Sequence, residues 1–254
     1  MNKVRFNKVR LSLAVLLCLC ATSMVDAKVK LPALISDGMV LQREQPIKVW
    51  GTADAGESVQ VKFLKNATPT GVKGGKLKVA YTVTADANGR WTLTLPAMKP
   101  GGPYILQVND IELKDILVGD VWLCSGQSNM EMPVAGWGKV MNYEREVAEA
   151  NYPFIRLLQV KKTVSLTPQD NVEMNMNGWQ ECSSATVPEF SSVAYFYARK
   201  LWKELNVPVG VIDCTWGGTP AESWTSHQTL KQVMGFQKKM AEMESAGFQR
   251  EKLV

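Results

Sequence analysis

The run Ile116-Leu117-Val118-Gly119-Asp120-Val121-Trp122-Leu123-Cys124 is almost continuously apolar, and the polar turn Ser125-Gly126-Gln127-Ser128-Asn129-Met130 follows it directly. Such a run predicts a strand buried on both faces, as in a parallel sheet. Working towards the C-terminus, residues 141–150 are good helix formers and residues 155–160 read as a second strand. Ser191 or Ser192 can cap a helix whose apolar positions Val193, Phe196, Tyr197, Leu201 and Leu205 share one face. Pro208 follows that helix, and residues 209–214 make a third strand. Strands alternating with helices imply a doubly wound parallel α/β sheet over residues 115–254. The Pro-, Asn- and Ser-rich stretch 161–190 reads as a long excursion of the kind that shapes a site, and its segment Glu173-Met174-Asn175-Met176-Asn177 receives no role.

Towards the N-terminus the pattern differs. Over residues 28–114, short period-two runs at 47–50, 58–63, 80–84 and 91–95 are separated by Gly51, Ala55-Gly56, Gly74-Gly75, Asn88-Gly89 and Pro100-Gly101-Gly102. Strands at this spacing predict a β-sandwich domain, with Asn88-Gly89 as the clearest hairpin turn. Residues 1–27 carry Lys3, Arg5, Lys8 and Arg10 ahead of an apolar stretch and Val25-Asp26-Ala27, which is the form of a cleaved signal peptide. The expectation is an exported protein, periplasmic or extracellular, with no stable membrane insertion after cleavage.

The whole chain has 254 residues, 46% hydrophobic and 21% charged, which is ordinary globular composition. Loss of residues 1–27 takes the net charge from +5 to +2, so basicity offers no case for nucleic acid. Three cysteines then remain, Cys124, Cys182 and Cys214, too scattered to define a metal site. Cys124 and Cys214 end neighbouring strands, as a disulfide or as buried thiols.

The chemistry concentrates at two strand ends. Open α/β sheets place ligands at the carboxyl ends of their strands. Ser128 stands there after the first strand, with Gly126 allowing a sharp turn and Gln127 and Asn129 offering amides to a polar substrate. Met130 occupies the place where a G-x-S-x-G elbow needs glycine, so this is a different motif. The third strand ends in Thr215-Trp216-Gly217-Gly218-Thr219-Pro220-Ala221-Glu222-Ser223-Trp224, whose paired glycines let backbone N–H groups approach an oxyanion. A flavodoxin-like strand order brings Ser128 and Gly217-Gly218 to one crevice. Trp216 could stack on a sugar, and Glu222 reads equally as a substrate contact or as a charge at a helix start.

These segments, Gly126–Met130 together with Phe190-Ser191-Ser192-Val193-Ala194-Tyr195-Phe196 and residues 216–224, resemble the sialate O-acetylesterase group of the SGNH/GDSL hydrolases. The opening Leu31-Pro32-Ala33-Leu34-Ile35-Ser36-Asp37-Gly38-Met39-Val40-Leu41-Gln42 is similar to the start of the β-sandwich such secreted enzymes carry. The resemblance implies an SGNH-type α/β domain and a carbohydrate esterase that removes O-acetyl groups through an acetyl-serine intermediate. Ser128 would be the nucleophile, with oxyanion donors from Ser128 itself and from Gly217 or Gly218. The scheme implies no metal and no organic cofactor.

The family also carries an Asp-x-x-His motif that supplies the general base, and a Gln-Gly-Glu-type segment near the oxyanion site. Neither stands in this sequence. His227 is its one histidine, preceded at three residues by Trp224 rather than Asp, and reads as a surface or capping residue. Residues 228–254 read as a helix that stops at Val254. The expectation is therefore an incomplete α/β domain, catalytically weak by itself, whose base lies on a missing C-terminal half. Acetylated xylan or pectin would use the same machinery as sialic acid. A non-catalytic carbohydrate-binding fragment and an anion-binding protein built on the glycine pair are the rivals from other classes.

Overall fold

The computed structural model describes residues 29–65, 76–165 and 168–245. The expected signal peptide, residues 1–27, and the last residues of the expected C-terminal helix lie outside them. The first strands are β1 (Val40–Gln42), β2 (Ile47–Thr52), β3 (Ser58–Lys65), β4 (Lys76–Thr84), β5 (Arg90–Leu95) and β6 (Gly101–Val108). All four runs expected between residues 47 and 95 are strands, and β1 and β6 are additional. Period-two alternation sends Val59, Val61 and Phe63 of β3 inward, and Leu106 and Val108 of β6 join them, all fully buried. Val49 of β2 and Leu95 of β5 close the same core from a separate two-stranded sheet. Full burial of each such side chain contributes about 1.5–3 kcal/mol.

The expected Asn88-Gly89 hairpin needs correction. The turn is present, with Gly89 at φ +72° and its N–H donating to Asp86 O at 2.9 Å. Yet β4 pairs with β3 and β5 pairs with β2, so the turn carries the chain from one sheet to the other. The Asp86 carboxylate accepts from the N–H groups of Asn88 and Arg90, which shapes the turn without choosing a partner strand.

A single long strand, β7 (Ile111–Gly126), then crosses the expected boundary at residues 114/115. Its first half pairs antiparallel with β6 and, at Leu117–Gly119, parallel with β1. Its second half pairs parallel with β10, introduced below, from Asp120 to Gly126. Gly119 stands at the changeover, where a Cβ would lie 1.9 Å from Pro208 O. The expectation of burial on both faces holds only in part. Ile116–Gly119 and Cys124 are buried, but Trp122 is 42% and Leu123 67% exposed.

After β7 come the one-turn helix α1 (Ser128–Glu131), α2 (Tyr143–Ala148), β8 (Asn151–Val160), β9 (Met174–Ser183), α3 (Ser192–Leu205), β10 (Val209–Thr215), α4 (His227–Leu230) and α5 (Gln237–Ser245). The sheet order here is β7-β10-β8-β9, parallel through β8 and antiparallel at β9. The first and third expected strands are neighbours, as required. A flavodoxin-like order would put the first strand in the middle, whereas β10 takes that place. The edge strand β9 lies within the stretch expected to be an irregular excursion. Gly235, at φ +99°, falls between α4 and α5, so the expected single C-terminal helix is two short ones.

One face of this sheet packs on α3. Ser191 caps α3, its hydroxyl oxygen accepting from Ala194 N at 3.2 Å. The expected apolar face is displaced: Ala194, Tyr195 and Ala198 are buried, while Val193, Tyr197 and Leu205 are 40–47% exposed. Small alanines let the helix approach β8 and β10 closely, and the larger side chains turn outward. The opposite face is covered by the N-terminal strands, because Leu158, Ile212 and Trp179 pack into their core. Helices on both faces, the doubly wound arrangement, are therefore not found among the described residues. Arg156 of β8, with only 5% of its side chain exposed, joins the two regions through Asp115 at 2.5 Å and also pairs with Glu181 of the neighbouring β9 at 3.5 Å.

Candidate active site

The carboxyl ends of β7 and β10 lie side by side, with Thr215 opposite Gly126 and Trp216 N–H donating to Gly126 O at 2.9 Å. Gly126 takes φ +146° and Gln127 is extended, so α1 begins abruptly at Ser128. Ser191 secures the other end of α1 by donating from its hydroxyl to Met130 O at 2.6 Å. Ser128 is half-buried, and neither its hydroxyl nor its N–H has a hydrogen-bond partner among the described residues.

The juxtaposition expected of Ser128 and the glycine pair is present. A Cβ placed on Gly217 would lie 3.6 Å from both Cα and Cβ of Ser128. Gly218 has φ +78°, with open space where a side chain would stand. Thr219 ties the loop together: its hydroxyl donates to Trp216 O at 2.6 Å and accepts from Trp224 Nε1 at 2.8 Å.

The Gly217 N–H is already engaged. It donates to the carboxylate of Glu131, whose other oxygen pairs with the Lys162 ammonium. Burial pushes the Glu131 carboxyl upward, but the hydrogen bonds from Lys162 and the Gly217 N–H outweigh it and hold the group below the usual carboxylate range. Beneath the loop, Asp213 is 1% exposed and accepts from Thr215 Oγ1 at 2.7 Å and Gln159 Nε2 at 3.0 Å. Burial is the stronger influence on it, so its carboxyl lies above the ordinary value despite those hydrogen bonds.

Two open clefts adjoin this network. One, of about 340 Å³, is lined by Glu131, Trp137, Gln159, Lys162, Asn175 and Thr215 among others. The second, of about 480 Å³, includes Lys162, Cys214, Thr215, Trp216, Thr219 and Trp224 in its walls. Ser128 lines neither, while Glu131 on the same one-turn helix lines the first. Trp216 lines the second cleft. Gln127 and Asn129 are exposed beside Ser128, and Glu222 sits half-buried in the single turn Ala221–Trp224, outside both linings. His227 pairs with Glu244 at 2.9 Å on α5, and the cap of α4 is Ser226. Cys124, Cys182 and Cys214 are free thiols; burial pushes Cys124 up to about 11 and Cys182 up to about 12.

Sequence reasoning missed Glu131, Lys162 and Asp213. Glu131 stands three residues after Ser128 on a short helix, a spacing that puts both on one face, so it was open to inference. Lys162 enters from the stretch after β8, and nothing local marks it.

The family model for sialic acid-specific acetylesterases, a group of carbohydrate esterases, matches residues 118–249. The sialate O-acetylesterase of Rattus norvegicus is 32% identical over 215 residues, a match covering 78% of this chain and 37% of the rat protein. That of Homo sapiens is 33% identical over 213 residues, covering 78% and 39% respectively. A crystal structure of a carbohydrate acetylesterase from Xanthomonas citri superposes with a TM-score of 0.69 at 38% identity, over 80% of this chain and 44% of the other. The chain thus spans less than half the length of these relatives. With a mixed parallel and antiparallel α/β fold in common and Ser128 set against Gly217 at two adjacent strand ends, the chain belongs to the sialic acid-specific acetylesterase family of carbohydrate esterases.

Proposed function

We propose that this protein is an exported serine-dependent acetylesterase acting on O-acetylated carbohydrate, with acetylated sialic acid as the preferred substrate. In this reading residues 1–27 are removed on export and residues 28–114 form a β-sandwich companion to the catalytic region. The observation that carries the reading is the half-buried Ser128, without a partner for its hydroxyl or N–H among the described residues, set against the Gly217-Gly218 turn.

Ser128 Oγ attacks the acetyl carbonyl while its proton passes to a base. The N–H groups of Ser128 and Gly218 hold the developing oxyanion. Collapse breaks the bond to the sugar oxygen, which takes up that proton from the base and leaves as the free hydroxyl, with acetyl-Ser128 remaining; water then releases acetate and restores the serine. The chain's one histidine does not supply the base, because His227 pairs with Glu244 on α5 and has no hydrogen bond to Ser128 among the described residues. We assign the base to a further polypeptide segment bearing the Asp-x-x-His motif of the family. Two features support docking of more polypeptide here: Asp120–Gly126 of β7 pairs with β10 alone among the described strands, and Leu123 within it is 67% exposed.

The test is release of acetate from an aryl acetate and from O-acetylated sialic acid. The chain is assayed by itself and together with a polypeptide covering the Asp-x-x-His region of a relative. General acid–base catalysis is worth roughly 10²–10⁴-fold, so turnover should rise by that order when both pieces are present and vanish in Ser128→Ala. Turnover by the chain alone that Ser128→Ala abolishes overturns the separate base. Turnover indifferent to Ser128→Ala overturns the serine mechanism. Glycan binding with no acetate release in either format would support a non-catalytic binding protein instead.

A further inference from the structure

Two hydrogen-bond donors, the first of them beside Ser128, are both satisfied by one carboxylate of the chain itself. The Gly217 N–H and the Lys162 ammonium have Glu131 as their sole hydrogen-bond partner among the described residues. A backbone N–H and an ammonium converging on two carboxylate oxygens is the arrangement that binds a free carboxylate. Glu131 has 16% of its side chain exposed, whereas Lys162 is 42% exposed and lines both clefts, so the cation faces the spaces a ligand would enter. The other charges around the pair are Asp213, which repels Glu131 from below, and Lys161 and Glu189 on the rim of the same cleft.

We propose that Glu131 is the built-in occupant of a carboxylate-binding site made by the Gly217 N–H and Lys162, and that a small free carboxylate binds there by displacing it. Resting on the esterase reading, the natural ligand class is the acetate that the reaction releases. Glu131 shares one helical turn with Ser128, so its release needs only side-chain rotation and leaves α1 in place. The tether gives Glu131 a high effective concentration, and a free carboxylate therefore competes poorly until the glutamate is removed or drawn aside. The site so exposed lies beside the serine, because a Cβ on Gly217 would be 3.6 Å from Ser128 Cβ and 2.7 Å from Glu131 Oε2.

The experiment follows the Gly217 amide of the ¹⁵N-labelled chain by NMR as sodium acetate is added, and needs no turnover. Glu131→Ala should respond saturably at about tenfold lower acetate than the unsubstituted chain, the scale of one lost charge-assisted hydrogen bond. Adding Lys162→Met to Glu131→Ala should reverse most of that gain. Glu131→Gln keeps an acceptor oxygen without the charge, should fall between the two, and carries the comparison if Glu131→Ala does not fold. Equal acetate responses in the unsubstituted chain and the Glu131 variant, or no response in either, overturn the site. Since the readout is binding, its failure leaves the acetate-release assay intact, and failure of that assay leaves this one interpretable.

Discussion

The N-terminal strands and the region after β7 treat their apolar residues differently. In the first region, Val49, Val59, Val61, Phe63, Leu95 and Leu106 are all at 0% exposure and close on one another. In the second, α3 covers one face over a buried cluster that includes Leu157, Phe190, Tyr195 and Val211, while Leu158 and Ile212 on the other face pack into the N-terminal core. Even so, Leu123 and Val193 remain 67% and 45% exposed. The contrast shows that Ser128 and the glycine loop stand on a sheet with one face closed by its own helix and the other closed only by the neighbouring region. A strand shared between the regions makes the first a support for the second.

The largest expected effect breaks this contrast at its core. Phe63→Ala should destabilise by about 3–5 kcal/mol in chemical denaturation, as large cavities in closed cores do, whereas Leu123→Ala should cost less than about 0.5 kcal/mol. Equal losses would show that the two regions are packed alike. Next is the changeover on β7. Gly119→Ala should cost about 3 kcal/mol, because the added Cβ meets backbone at Pro208 O and not a side chain that can swing away. Loss of signals from both regions in one denaturation step would show that they unfold as a unit.

Smaller effects separate the two loop glycines. Gly218→Ala should cost about 1 kcal/mol through its left-handed backbone. Gly217→Ala should cost less in stability, since the atom it meets is the flexible end of Glu131, and should instead push that carboxylate off the N–H. Thermal melts for stability and amide shifts for the loop distinguish the two.

The smallest effect is a pair of opposite pH dependences. Asp213 has a raised pKa in the folded chain, so its contribution falls as pH rises above the ordinary aspartate value of about 3.9. Glu131 has a lowered one, so its contribution is present above the ordinary glutamate value of about 4.3 and disappears as pH falls through its folded pKa. Melting temperatures across pH 3–7 for Asp213→Asn and Glu131→Gln, each against the unsubstituted chain, should therefore diverge in opposite senses, roughly around those reference values. Parallel curves would contradict the assigned environments.

Much of the local structure was readable from residues alone. Alternation at residues 58–63 marked β3, and Ser191 marked the start of α3. Reading failed where a local signal had more than one tertiary use. Asp86–Gly89 makes a turn whatever strands it connects, so the pairing was misassigned. Met174-Asn175-Met176-Asn177 alternates on an edge strand, where polar residues are tolerated, so β9 was overlooked. The face of α3 was judged by size, although Ala194 and Ala198 make the close approach.

The site divides in the same way. Ser128 and Gly217-Gly218 stand at the ends of strands that the chain marks by itself, and neighbouring parallel strands bring their ends together. Glu131 meets Gly217 across 86 residues and Lys162 across 31. Turns, caps and alternation act between residues a few positions apart, so the amino-acid order specifies them directly. Which donor a carboxylate answers, and which core a strand's second face enters, depends on segments distant in the chain, and only the packed tertiary structure brings those together.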